Sequence, residues 1–311
     1  MNKVIIIGSN GFVAGHLALE LRKNNYICYG ADLDNQINKE KFNSIFKVDI
    51  TKETSIEKLL EATRPKYIVN LAAISSVKKS WEIPKTTFEV NVNGTINILE
   101  AIRKLKLESR LLLVGSSEEY GEIDYSKAIS EEADLNSINP YGISKITQEK
   151  VAKLYNRVYG IDVVLSRAFN HIGPGQKKGF VVSDFASQLV MIEKGLKEPI
   201  LYVGNLAAER DFTDVRDIVK GYRYIMERGI SGEVYNIGSG QAVSIKTILD
   251  MLLSKCMVNV DVKIDSSKFR KIDTPKIVCN NKKIQQYIGW NKEIPLEKSI
   301  DDILKYWRHI I

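Results

Sequence analysis

Cysteine is scarce. Cys28, Cys256 and Cys279 are the only three in 311 residues, and there are only three histidines. None of the cysteines pairs with another at Cys-x-x-Cys spacing, so neither a metal-ligand set nor a disulfide framework is expected. Long hydrophobic runs are missing too, and no segment is long enough to span a bilayer as a helix. Lys and Arg number 45 against 38 Asp and Glu, a formal net charge of +7. These basic residues form no block. That argues against nucleic acid as a partner and suits an anionic small substrate. No internal repeat, low-complexity tract or long linker interrupts the chain. An apolar strand begins almost at once with no small-residue cleavage site, so the expectation is a reduced, cytoplasmic protein with no membrane contact. Hydrophobic residues make up 44% and charged residues 27%. At this length that composition supports one large or two modest domains with a real core.

What is present starts at Val4-Ile5-Ile6-Ile7, a β-branched run that reads as a buried parallel strand. Gly8-Ser9-Asn10-Gly11-Phe12-Val13-Ala14-Gly15 follows, and then a helical pattern through Leu17, Leu19 and Leu21. Strand, glycine turn and helix in that order form a dinucleotide-binding context. Gly8 permits the tight turn, Gly11 lets the backbone approach a pyrophosphate, and Ala14 is small enough for close helix–strand packing. Free N–H groups at the helix start then meet the phosphates. Gly8, Asn10, Gly11, Phe12 and Val13 are therefore cofactor-binding candidates. A second strand, Tyr26 to Gly30, leads into Asp32, at the distance where an acid takes the adenosine ribose hydroxyls. A carboxylate there repels a 2′-phosphate, and no Arg follows it immediately, which points to NAD rather than NADP. A third strand, Ser44 to Val48, leads into Asp49 and Ile50, which are placed to meet the adenine. The fourth, from Tyr67, ends in Leu71-Ala72-Ala73, small enough for a cofactor to lie against the backbone. Helices are expected around Thr86 to Leu105.

A fifth strand, Arg110 to Val114, turns abruptly polar at Gly115-Ser116-Ser117-Glu118-Glu119-Tyr120-Gly121. Open α/β sheets bind ligands at the carboxyl ends of their strands. Buried hydroxyls and carboxylates there are costly without partners or a task. Asn139-Pro140 then opens a helix, and Tyr141 and Lys145 share one of its faces at i, i+4 spacing. A Lys beside a Tyr in a dry site is expected to lower the phenol pKa, so that Tyr141 exchanges a proton near neutral pH.

The four motifs Gly-x-x-Gly-x-x-Ala, Asn-Leu-Ala-Ala, Ser-Ser-Glu-Glu-Tyr-Gly and Tyr-x-x-x-Lys, in this order, resemble an extended short-chain dehydrogenase/reductase over nearly the whole chain. The resemblance implies an α/β fold: a Rossmann doubly wound parallel sheet with a smaller α/β substrate lobe. The NAD-binding domain would be 1–168, completed by about 213–240, and the lobe 169–212 and 241–311. Tyr235 to Gly238 reads as a late strand and turn, and the remainder through Trp290 and a helix from Leu296 to Trp307 as part of the lobe. By the same resemblance Ser116 holds the reacting oxygen, Tyr141 is the acid/base, and Lys145 binds the nicotinamide ribose and tunes Tyr141. The segments Ser166 to Gln176 and Gly204 to Val215 are similar to those of enzymes acting on GDP-mannose-type sugars, in the group of GDP-6-deoxy-D-mannose reductases and GDP-mannose 4,6-dehydratases. That likeness implies a GDP-sugar substrate, with Ser117, Asn170, Arg210, Arg270 and Asp273 on the substrate side and a homodimer as the assembly. Arg210 and Arg270 would reach the pyrophosphate, which a guanidinium fork suits.

The expected reaction is redox at C4 of a GDP-linked manno-configured hexose or heptose, with NAD as the cofactor. Two alternatives are a 4,6-dehydratase, with Glu118 handling the C5 proton, and a 4-epimerase. A third is a non-catalytic NAD-binding scaffold. Two departures stand out. The short passage from Asp32 to Asp49 lacks the insertion and basic pair usual in the dehydratases, and the reductases often lack an acid at the Asp32 position. The direction of hydride flow stays open at this stage.

Overall fold

A computed structural model describes residues 2–34, 39–269 and 274–311. In chain order the strands are β1 (Lys3–Ile7), β2 (Ile27–Asp32), β3 (Ser44–Lys47), β4 (Tyr67–Asn70), β5 (Arg110–Ser116), β6 (Val163–Ala168), β7 (Asn170–Ile172), β8 (Ile200–Val203), β9 (Glu209–Asp214), β10 (Val234–Ile237), β11 (Ala242–Ser244) and β12 (Asp261–Ile264). The helices are α1 (Phe12–Lys23), α2 (Glu53–Thr63), α3 (Val77–Glu82), α4 (Pro84–Phe88), α5 (Gly94–Lys104), α6 (Pro140–Tyr159), α7 (Val181–Glu193), α8 (Val215–Arg228), α9 (Ile245–Leu253) and α10 (Leu296–Ile310).

β1, β4 and β6 are almost wholly buried, as strands covered on both faces must be. They join a seven-stranded sheet in the order β3-β2-β1-β4-β5-β6-β10. Every pairing in it is parallel. Growth of the sheet reverses between β1 and β4, which opens a crevice at their carboxyl ends. One core lies between the sheet and the pair α1 and α8; a second lies on the other face, where α2, α5 and α6 pack. Ala14, Leu17, Ala18 and Leu21 of α1 face the sheet, whereas Leu19 is exposed. Helical periodicity at i, i+3 and i+4 admits Leu17 and Leu21 to one stripe and turns Leu19 away.

The smaller lobe gathers a three-stranded sheet, β11-β9-β7, and a two-stranded one, β12-β8. Its core holds apolar residues of α7, α9 and α10, among them Leu189, Ile248 and Trp307. Trp290 is an exception to the expected division. It lies in the α1–α8 core of the large sheet, and its Nε1–H donates to Asp217 O at 2.8 Å. Between Thr86 and Leu105 the helix is not continuous. A π-helical turn at Glu89–Asn93 separates α4 from α5.

Candidate active site

β5 delivers Ser116 to the carboxyl edge of the sheet and turns there into a short 3-10 segment, Ser117–Glu119. Ser116 Oγ accepts the Glu118 N–H at 3.2 Å, and Glu119 Oε1 accepts the Ser116 N–H at 2.7 Å. Gly115 makes this turn possible. A Cβ there would lie 2.6 Å from Ser166 O and closer still to Glu119 Oε1.

α6 supplies the other half. Asn139 caps it, accepting the Gly142 N–H at 2.9 Å, and Pro140 takes the first helical position, where no N–H is needed. The Asn139 amide also donates to Glu118 Oε2 at 2.9 Å, so the cap of one motif positions the carboxylate of the other. Ser80 Oγ receives the Tyr141 N–H at 3.2 Å, and Ser144 Oγ donates to Tyr141 O at 2.6 Å. Asn91, in the π-turn, accepts the Ile74 N–H and donates to Ser144 Oγ, both at 2.8 Å. A π-turn rotates one side chain off the regular helical face. Here it ties the loop after β4 to the start of α6.

Tyr141 is buried next to Ser116. Lys145 Nζ lies 5.9 Å from the Tyr141 ring centroid and donates to Val114 O at 2.8 Å and Gln148 Oε1 at 3.3 Å. Burial raises the Tyr141 pKa; the neighbouring Ser116 hydroxyl lowers it, and the charges of Glu119 and Glu118 raise it further. The lowering by Lys145 expected from sequence is therefore overturned in this geometry. The ammonium is spent on a main-chain carbonyl and a glutamine, and desolvation of the phenolate wins. Burial also pushes Lys145 down, to about 8, against the charge of Glu119.

The glycine turn sits at the same edge. Gly8 has φ +87°, and a Cβ on it would lie 2.7 Å from Ala72 N. The first turn therefore packs backbone to backbone against Leu71 and Ala72, and Leu71 N donates to Ile7 O at 2.9 Å. Ala73 follows in the same loop. No side chain caps α1, so its first N–H groups are left to an anion. Asp32 accepts the Asn10 N–H at 2.9 Å and the Leu33 N–H at 2.8 Å, and keeps lone pairs for ribose hydroxyls. Ser9 Oγ and Asn10 Oδ1 are buried without a hydrogen-bond partner. Uncapped helix, close-packed turn and unmatched polar atoms fit the pyrophosphate and ribose of a dinucleotide.

Other candidates fall less centrally. Val13 packs against the α1–α8 core. Phe12 stacks on His171 at 6.2 Å, joining the turn to β7. Asp49 Oδ1 is engaged by Thr51 N–H at 3.0 Å and Thr51 Oγ at 2.7 Å, a turn leading into α2. Ile50 is buried against Gly94. Ser117 is buried within the 3-10 turn, Asn170 is exposed on β7, and Arg210 is buried on β9 with Nη1 donating to Glu209 O at 2.8 Å. Arg270 and Asp273 lie outside the described residues. Among the described residues no group of three or more His, Cys, Asp or Glu is arranged to hold a metal ion, and no helix is long and apolar enough to cross a membrane.

Sequence reasoning missed Asn91, Asn139 and Glu119 as parts of this site. Asn139-Pro140 carries a legible cap signal. Nothing in the local pattern assigns Asn91, and adjacent Glu118 and Glu119 look alike until the turn sends one outward and one inward.

A Rossmann sheet with Ser116, Tyr141 and Lys145 at its carboxyl edge defines an enzyme of the extended short-chain dehydrogenase/reductase class. The family described as GDP-mannose 4,6 dehydratase matches residues 5–303, and the chain belongs to it. The GDP-6-deoxy-D-mannose reductase of Pseudomonas aeruginosa is 30% identical over 244 residues, 78% of this chain and 80% of the reductase. The GDP-6-deoxy-D-talose 4-dehydrogenase of Aggregatibacter actinomycetemcomitans is 29% identical over 288 residues, 92% of this chain and 91% of that protein. Among solved structures, RMD from Pseudomonas aeruginosa complexed with NADPH superposes with a TM-score of 0.90 at 27% identity, covering 100% of both chains.

Proposed function

We propose that this chain catalyses NAD-linked redox at C4 of a GDP-linked manno-configured hexose or heptose. The observation that carries this reading is the buried Tyr141 next to Ser116, with Lys145 one helical turn away. The dinucleotide, when bound, supplies the hydride carrier. Tyr141 Oη exchanges the proton of the C4 oxygen, and Ser116 Oγ hydrogen-bonds that same oxygen. Lys145 holds positive charge beneath the phenol at neutral pH. Gly8, Gly11 and the start of α1 hold the pyrophosphate, and Asp32 the adenosine ribose. Both named relatives act on GDP-6-deoxyhexoses, one as a reductase and one as a 4-dehydrogenase. Asn170, Arg210, Arg270 and Asp273 belong to the GDP side of this reading.

A second reading, 4,6-dehydration, draws support from Glu118, held by Asn139 close enough to Tyr141 to act on its charge. A carboxylate there is available to take a C5 proton.

The test is turnover of a panel of GDP-manno-sugars with NAD or NADH, by wild type and Tyr141→Phe. The variant is expected to fold and bind NAD normally and to lose a factor of about 100 or more in kcat. Turnover by Tyr141→Phe at the wild-type rate would sink the mechanism.

A further inference from the structure

His16 is one of three histidines in the chain, and the reaction above leaves it without a task. It lies on α1, one turn beyond Phe12. Its ring stands edge-on to Phe12, with centroids 5.5 Å apart at 81°, while His171 of β7 lies nearly parallel to the same phenyl ring at 10°. His16 Nε2 lies 2.9 Å from Pro174 O. A carbonyl oxygen only accepts, so Nε2 carries the hydrogen.

Pro174 O belongs to a turn whose form depends on one peptide. Gly173-Pro174-Gly175-Gln176 closes with Gln176 N–H donating to Gly173 O at 3.3 Å. Gly175 has φ +92°. Proline at the second position and a positive φ at the third make this a type II turn. Types I and II differ by a flip of the central peptide, here the one between Pro174 and Gly175. His16 therefore holds the group whose direction separates the two forms. The turn is also hemmed in. A Cβ on Gly173 would lie 2.5 Å from Val215 Cγ1 and 3.5 Å from Phe12 Cζ. On its far side Gln176 Nε2 donates to His171 O at 3.0 Å, and Gln176 O accepts the Ser183 hydroxyl at 2.6 Å, in the first turn of α7. An unbroken chain of contacts thus runs from the first turns of α1, beside the glycine turn, to the leading turn of α7 in the lobe core.

We propose that His16 is a positioning residue: it fixes the Pro174–Gly175 peptide in the type II orientation and so couples the cofactor turn to the substrate lobe. A dinucleotide on the start of α1 then favours a nucleoside diphosphate in the lobe, and the reverse holds by the same factor. The lobe half of this statement rests on the GDP-sugar reading above.

Calorimetry tests this. NAD is titrated with and without GDP, and GDP with and without NAD, into wild type, His16→Leu and His16→Gln. Leu fills the space but has no donor, whereas Gln returns an N–H near the place of Nε2. In wild type each ligand is expected to tighten the other by roughly tenfold, a usual size for coupling between two sites. His16→Leu is expected to bring that factor close to one with affinity for NAD alone nearly unchanged, and His16→Gln to restore it. Absence of coupling in wild type, or the same coupling in His16→Leu, overturns the proposal. So does a His16→Leu protein that binds both ligands more weakly while the factor persists, the mark of a merely structural residue. Should His16→Leu fail to fold, Gly175→Ala carries the test, because an L-residue at that φ drives the turn towards type I; full coupling in Gly175→Ala overturns the proposal. If GDP binds neither free nor NAD-loaded wild type, the GDP-sugar reading fails, and hydrogen exchange then decides the role of His16. NAD is expected to slow exchange of the Gln176 amide in wild type and His16→Gln but not in His16→Leu. Equal slowing in all three overturns it.

Discussion

Asp32 illustrates how much one residue decides. Its carboxylate sits at the carboxyl end of β2 and is fixed by two main-chain N–H groups, from Asn10 and Leu33. It cannot swing away from a ligand without leaving those donors unmet. A like-charged pair about 4 Å apart repels by roughly 4 kcal/mol near a protein surface. Even after generous screening that is a factor of ten or more against a 2′-phosphate. Wild type is expected to bind NAD at least tenfold more tightly than NADP, and Asp32→Ala to lose most of that margin; calorimetry with both cofactors on both proteins measures it. Equal affinity of the wild type for the two defeats the assignment. The placement of Asp32, Tyr141 and Lys145 was legible in the sequence because it is local: one sits at the end of a strand, and two share a helix face. The Tyr141 ionisation was not legible. Its sign depends on where the Lys145 ammonium finds acceptors, and those are Val114 O on β5 and Gln148.

At the scale of elements, the sequence made α6 readable from end to end, since Asn139, Pro140 and the apolar spacing all agree. The interruption at Glu89–Asn93 was invisible, because a π-turn is stabilised by what its residues reach rather than by their propensities. α3 was passed over for a similar reason: it is one short turn capped by Ser76, which accepts the Lys79 N–H at 3.3 Å. The outer face of α6 carries a row the core does not use. Ile143, Leu154, Val158 and Tyr159 are exposed at 43, 48, 58 and 54%. An exposed apolar row on one helix beside a second helix, α5, suits a two-fold contact with another copy of this chain. A homodimer through this face is the expected assembly. Leu154→Lys with Val158→Lys is expected to give a folded monomer by light scattering at micromolar concentration; a wild type that is itself monomeric there contradicts the assignment.

At the scale of the molecule, the doubly wound order of the large sheet follows from the alternation of apolar strands and helices, and it was legible for that reason. The partition of the late chain was not. Trp290 is surrounded in sequence by lobe residues, yet it buries itself against α8, where the Asp217 carbonyl satisfies its N–H. Long-range burial of one large ring leaves no periodic trace. The last expectation joins a cofactor turn with Asp32 to a chain related both to a GDP-6-deoxy-D-mannose reductase and to a GDP-6-deoxy-D-talose 4-dehydrogenase. The relatives do not separate the directions, since their identities to this chain are 30 and 29%. The expected direction rests on the cofactor side. Cells keep NAD mostly oxidised, so an Asp32-type pocket fills mainly with the oxidant. On the proposed reading Tyr141, raised by burial, is a strong base once ionised and would take the C4 hydroxyl proton as hydride leaves. Oxidation is therefore expected to quicken as pH rises through the neutral range, because the phenolate fraction grows. The expected product from a GDP-manno-sugar and NAD is the 4-keto sugar, lighter by two mass units, with NADH formed in equal amount. Loss of water instead assigns Glu118 a C5 proton and favours the dehydratase. NADPH carried through purification, or rapid reduction of a 4-keto sugar with no detectable oxidation, reverses the direction argued from Asp32.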